Sequence, residues 1–197
     1  MCSSALTMNL DELTQTLPAM PEPERIRVVR ALRKRDMARL WEQCAGRETS
    51  AEDFVPASVP VGVEVIHWGK NSLPVFSDFQ KRFTRAVGRD GVVYGYNHTW
   101  YGNLAWTTLG PGYFTGHHDP ALAAFGLDYY LVPPDDAALP ASWPRRVPNE
   151  RGLQRLIYAR MVDYMRKVAD GVTIGRAWRQ GRITDNYFVL ARAAVRS

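Results

Sequence analysis

The sequence predicts an α+β protein that is mainly β: an antiparallel barrel of about eight strands behind an N-terminal helical arm. Three observations carry this reading. A helical hydrophobic period runs as far as Cys44 and stops there. From Val61 onward, short β-rich runs alternate with Gly, Pro and Asp-Gly turn signals. The connections between those runs lack the long crossovers of a parallel sheet, so the strands read as a meander. Such a sheet hides its edges best by closing, and about eight strands leave room for side chains or one small ligand. The expected organisation is a helical arm over 1–46, a linker over 47–60 and a barrel domain over 61–197.

In the arm, Asn9 followed by Glu12 reads as a helix start ahead of Leu10, Leu13 and Leu17. "PAMPEPE" breaks that helix and opens a second, with Pro23 in its first turn and Glu22 and Glu24 at the positive end of its dipole. The second helix is expected to run to about Cys44 and stop at Gly46. Its stripe of Ile26, Val29, Met37, Leu40, Trp41 and Cys44 needs a surface to cover, and Arg33 falls in the middle of it.

Strands are expected near Val61–Trp68, Val92–Asn97, Leu104–Leu109, Tyr113–His117, Leu127–Val132, Leu156–Val168, Val172–Trp178 and Tyr187–Arg192. Asp90-Gly91 and Asp170-Gly171 mark tight turns, and Gln180-Gly181 is a weaker signal of the same kind. "NSLPVFSDFQKRF" reads as a strand or a short helix. The Pro-rich stretch from Val132 to Gly152 is the one long insertion and a natural lid.

The 197 residues are enough to bury a core, and 46% apolar with 23% charged residues is ordinary for a globular protein that folds alone or as a small oligomer such as a homodimer. No stretch approaches the length needed for a transmembrane helix, and the first residues lack the pattern of a signal peptide, so a cytoplasmic location is expected. Cys2 and Cys44 form no disulfide framework or zinc motif. Seven basic residues between Arg25 and Arg39 stand against the single acid Asp36, an excess of +6 beside a net charge of +5 for the whole chain. These charges surround the helix instead of forming one stripe, so nucleic acid is not the expected partner.

The segment from His98 to Pro120 holds three of the four histidines and five aromatic residues. His98, His117, His118 and Asp119 are metal-ligand types, but adjacent His117 and His118 point to opposite faces of a strand and match no ligand motif. No metal and no cofactor is expected. There is no GxSxG elbow, and the glycines of "GPGYFTG" do not open a helix as a phosphate loop does.

What remains is a pocket that grips an apolar or aromatic molecule, with Trp68, Tyr96, Trp100, Trp106, Tyr113, Tyr129 and Met161 as candidate ligand-binding residues. On the strand through residue 161, one parity carries Met161, Asp163, Met165 and Lys167 and reads as the inner face. Asp163 then points into an apolar interior, where it must be paired or hold its proton. Asp163, His98 and His117 are candidate acids or bases, and Arg176 a candidate oxyanion stabiliser.

The closing strands carry Ile174, Gly175 and Arg176, then Phe188, Val189 and Leu190. This stretch resembles the end of the plastid lipid-associated fibrillin family and related lipocalin-like barrels. The resemblance covers about a sixth of the chain. It implies a calycin-type barrel for lipophilic ligands, with Arg176 near a mouth, and carries over no catalytic residue. Binding of a small hydrophobic molecule is the expected function. The alternative is a cofactor-free cyclase, isomerase or dehydratase using an acid and base in the same cavity.

Overall fold

A computed structural model describes residues 10–74, 77–98, 110–147, 149 and 160–195. Among them, four helices precede eight antiparallel strands that close into a barrel in chain order, the last strand pairing with the first. The helices are α1 (Leu10–Thr16), α2 (Glu22–Ala31), α3 (Lys34–Gln43) and α4 (Ala51–Phe54). The strands are β1 (Val65–Asn71), β2 (Asp78–Arg85), β3 (Val93–His98), β4 (Tyr113–Asp119), β5 (Ala124–Asp128), β6 (Met161–Ala169), β7 (Val172–Arg179) and β8 (Arg182–Arg192). None of the described helices is long and apolar enough to cross a membrane.

The expected second helix is two helices. Leu32 and Arg33 take extended backbone, and the Asp36 carboxylate accepts the Arg33 backbone N–H at 3.0 Å, restarting the helix as α3. Arg33 therefore lies at a helix start and not within the apolar stripe. Val29, Met37, Leu40, Trp41 and Cys44 are buried as expected, packing with Val172, Ile174, Tyr187 and Val189 on the outer wall. Arg166 of β6 lays its guanidinium 3.9 Å over the Trp41 ring and donates to the Trp41 carbonyl at 2.6 Å. Gly46, at φ +75°, follows the end of α3.

Several strand boundaries shift for local reasons. The "NSLPVFSDFQKRF" segment contributes β2, whose Phe83 pairs with Val65 of β1. The first strand begins at Val65 because residues 61–62 still turn, with Gly62 at φ +80°. β5 ends at Asp128, whose side chain accepts the Tyr130 N–H at 2.7 Å and turns the chain where a strand to Val132 was expected. Arg160, at φ +59°, stands just ahead of β6, and residues 156–159 of the expected Leu156–Val168 strand lie outside the described residues. Gln180 and Gly181, both at positive φ, make a tight turn that lets β8 start at Arg182 instead of Tyr187. The expected strand at Leu104–Leu109 lies outside the described residues.

Residues expected to be a plain linker hold α4, which closes one end of the barrel. Phe54 is fully buried, with ring centroids 5.0 Å from Phe83 and 5.1 Å from Phe125. Its carbonyl accepts a hydrogen bond from His67 Nε2 at 2.9 Å. Asp53 holds the turn in place by pairing with Lys167 at 2.6 Å, while Arg192 donates to the Asp53 carbonyl at 3.0 Å.

Inside the barrel three phenylalanines lie on glycines of the neighbouring strand: Phe79 on Gly69, Phe114 on Gly95 and Phe188 on Gly175. A Cβ on any of these glycines would fall within 2.2–2.8 Å of the ring. With no side chain beneath them, the rings can lie against the barrel wall.

Candidate functional site

Beyond the Phe54 end, the described residues of the interior include a polar cluster among these rings. β2 alternates, placing Phe79, Lys81 and Phe83 inward; the same period on β3 turns Asn97 inward, and on β6 it turns Asp163 and Met165 inward. β6 stands four strands from β2 in the closed ring of eight, so Lys81 reaches across the barrel to Asp163. Lys81 Nζ lies 3.1 Å from Asp163 Oδ2, donates to Asn97 Oδ1 at 2.9 Å, and also touches the Tyr129 hydroxyl. Asn97 Nδ2 donates to Tyr129 Oη at 2.9 Å and to the Gly112 carbonyl at 3.2 Å.

The ammonium sits among aromatic faces. Its nitrogen is 4.9 Å from the Phe114 and Phe188 ring centroids, 5.0 Å from Tyr129 and 5.7 Å from Phe79. Three of these four rings are those that lie on glycines, so the backbone pattern and the cation site are one construction. The Lys81 and Asp163 side chains are 3% and 4% exposed. Burial pushes the Lys81 pKa below its ordinary value, and the Asp163 carboxylate opposes that shift. The site combines a desolvated amine, a carboxylate within proton-transfer distance, a phenol and an amide inside an apolar wall.

The candidate residues divide between the two faces of the sheet. Asp163, Tyr129 and Met161 belong to the interior, Met161 packing against the inner cluster. Trp68, Tyr96, Tyr113, His98, His117 and Arg176 have the opposite parity and face outward. Trp100 and Trp106 lie outside the described residues.

Tyr96 and Tyr113 pack with Tyr94 beneath Trp143 of the long insertion, whose described part covers the outer wall at β3 and β4 instead of a mouth. Burial raises the Tyr96 pKa to about 12 and raises that of Tyr113, whose hydroxyl donates to the Pro144 carbonyl at 2.6 Å. An open groove of about 370 Å³ runs along this insertion between Tyr113, Leu139, Trp143 and Arg146. Trp143 is tied down by its indole N–H, which donates to Glu64 at 2.6 Å, and Glu64 in turn pairs with Arg82 at 3.0 Å.

His98 neighbours Tyr96 on the outer face, and burial with the Arg82 charge lowers its pKa to about 4. His117 Nδ1 donates to the His118 carbonyl at 3.1 Å, and Nε2 is 3.8 Å from Asp128. Arg176 lies over the Tyr187 ring at 4.8 Å, donates to the Thr184 carbonyl at 2.7 Å, and reaches Glu42 of α3 at 3.9 Å. It serves the seam between α3 and the wall.

Sequence reasoning missed Lys81 as a site residue, and took Asn97 only as the end of a strand. The signal was the alternation Phe79-x-Lys81-x-Phe83, which marks a lysine on an inward face once the segment is read as a strand.

This architecture defines the chain as a closed eight-stranded antiparallel barrel with a buried lysine–carboxylate pair, comparable in outline to lipocalin-like barrels. The chain matches no protein-family model, no curated protein and no solved structure.

Proposed function

We propose that the barrel binds a small lipophilic or aromatic molecule end-on, its polar group facing Lys81, Asn97, Tyr129 and Asp163. The observation that carries this reading is the placement of that cluster within a wall of phenylalanines. A buried ion pair costs several kcal/mol of desolvation, and apolar residues of equal volume would make a more stable core. Its presence in this position supports recognition of a polar group. Asn97 and Asp163 stand within two residues of their strand ends, and Tyr129 directly follows β5, so the cluster is near the end opposite Phe54. The calycin-type relationship and a cytoplasmic location are parts of the same proposal.

The test is native against denaturing mass spectrometry of freshly purified protein, followed by titration with an apolar fluorescent probe. A bound organic mass that leaves on unfolding, or probe binding weakened by Lys81→Met, supports the reading. No bound mass together with equal probe response in both proteins rejects it.

One observation favours a second reading. The Tyr129 hydroxyl contacts both Lys81 and Asp163, so a proton donor and an acceptor stand side by side. A cofactor-free isomerase, cyclase or dehydratase needs this pairing. On that reading Asp163→Asn abolishes turnover and leaves binding intact.

A further inference from the structure

Building on the binding function proposed above, we infer that Lys81 is a covalent anchor, forming an imine with the aldehyde or ketone group of a planar, conjugated ligand. Three features of the geometry lead to this. The first is conservation of charge. An ammonium and a protonated imine both carry +1, so the cage of Phe79, Phe114, Tyr129 and Phe188 and the Asp163 counterion 3.1 Å away serve both states without burying a new charge. The second is proton handling. Asp163 accepts the proton that the ammonium must lose before its nitrogen can attack, and Tyr129 and Asn97 supply donors for a carbonyl oxygen beside it. The third is shape. Rings lying against the wall present flat faces toward Nζ, which suit a planar conjugated carbonyl.

The step balances without an oxidant or reductant. The neutral amine adds through its lone pair to the carbonyl carbon, and a carbinolamine forms. Both nitrogen-bound hydrogens of the amine are transferred in the sequence to the former carbonyl oxygen, which leaves as water as the C=N bond forms. The proton first taken by Asp163 returns to the imine nitrogen, restoring the ion pair.

The chain has four lysines, three of them available for comparison with Lys81. Lys34 pairs with Asp185, Lys70 with Asp78 and Lys167 with Asp53, and all three are more exposed than Lys81. Chemical labelling governed by exposure would therefore favour any of them over Lys81.

The experiment exposes the full-length protein to trans-cinnamaldehyde with sodium cyanoborohydride, which reduces an imine to a stable secondary amine. Peptide mass spectrometry then locates the adduct. Binding of cinnamyl alcohol, which cannot form an imine, is measured in parallel. The expected result is modification at Lys81 about tenfold faster or more than at any other lysine, as an oriented carbonyl requires. Asp163→Asn should slow modification at Lys81 without slowing it at Lys34 or Lys70. Adducts at Lys34, Lys70 and Lys167 with Lys81 unmodified overturn the inference. If the alcohol binds in that case, only the covalent step fails; if neither compound binds, the binding function fails for this ligand class as well. The location is read in the unmutated protein, so it does not depend on a Lys81 variant folding.

Discussion

Lys81 on β2 and Asp163 on β6, separated by 82 residues in the chain, meet at 3.1 Å inside the barrel and are buried together. Each is tolerable there only because of the other. Four predictions follow from this pair and the structure around it.

Removing one partner leaves the other charge buried and uncompensated. Lys81→Met or Asp163→Asn alone should cost about 3–5 kcal/mol in urea unfolding. Combining Lys81→Met with Asp163→Asn removes both charges and should be markedly less destabilising than the sum of the single changes. Additive losses would mean that the two groups do not interact in the folded protein.

The ring-on-glycine contacts respond differently to added methyl groups. At Gly175 the nearest obstacles to a Cβ are all atoms of the Phe188 ring, at 2.2–2.7 Å, whereas at Gly95 the Arg82 backbone oxygen is also 2.7 Å away. Gly175→Ala and Gly95→Ala should each destabilise by about 1–3 kcal/mol. Adding Phe188→Leu should offset part of the first loss, while Phe114→Leu should fail to rescue the second. Thermal unfolding of the four variants decides this, and rescue at Gly95 would contradict the backbone contact.

His67 gives the barrel a sensitivity to acid. Burial lowers its pKa from 6.5 to about 3, and its Nε2–H donates to the Phe54 carbonyl. As pH falls below 6.5 the unfolded chain takes up a proton that the folded protein refuses until about pH 3. The contribution of His67 to stability is therefore complete above 6.5 and declines across that window at about 1.4 kcal/mol per pH unit. His67→Gln retains an N–H donor and removes the titration. Urea unfolding between pH 7 and 4 should show a shallower loss in this variant; parallel curves would count against a neutral, buried His67.

Phe54 closes one end of the barrel through stacked contacts with Phe83 and Phe125. Phe54→Ala should cost about 3–5 kcal/mol, as truncation of a fully buried aromatic does. Phe54→Leu should recover more than half of that loss, since much of the apolar volume returns. A loss below about 1 kcal/mol in the alanine variant would mean that α4 does not plug the barrel.

Local chemistry was legible in the sequence wherever it decided the structure. Asp90-Gly91 and Asp170-Gly171 set turns because glycine takes positive φ at no steric cost, as Gly91 and Gly171 do at +70° and +67°. The helix stripe of Val29, Met37, Leu40 and Trp41 found a buried face, and the parity of β6 turned Asp163 inward. Asp36, three residues after Arg33, was legible as a helix-start signal too, but the continuous stripe concealed the break.

The two faces of the sheet could not be assigned from aromatic composition alone. Tyr96, Tyr113 and Trp68 are as apolar as an interior residue, and the outer wall is itself covered, by the helices on one side and by Trp143 and its neighbours on the other. A buried tyrosine therefore marks a covered face without saying which. The partner of Asp163 was equally out of reach, because Lys81 lies on a different strand and its distance along the chain carries no information about its place in the ring. Period and turn chemistry act over a few residues, and by themselves they determined the antiparallel run of strands and the helical character of the arm ahead of it. Closure of β8 onto β1 acts over the whole chain, and only that closure set opposite walls a side chain apart and brought one lysine, one carboxylate and four aromatic rings to a single point.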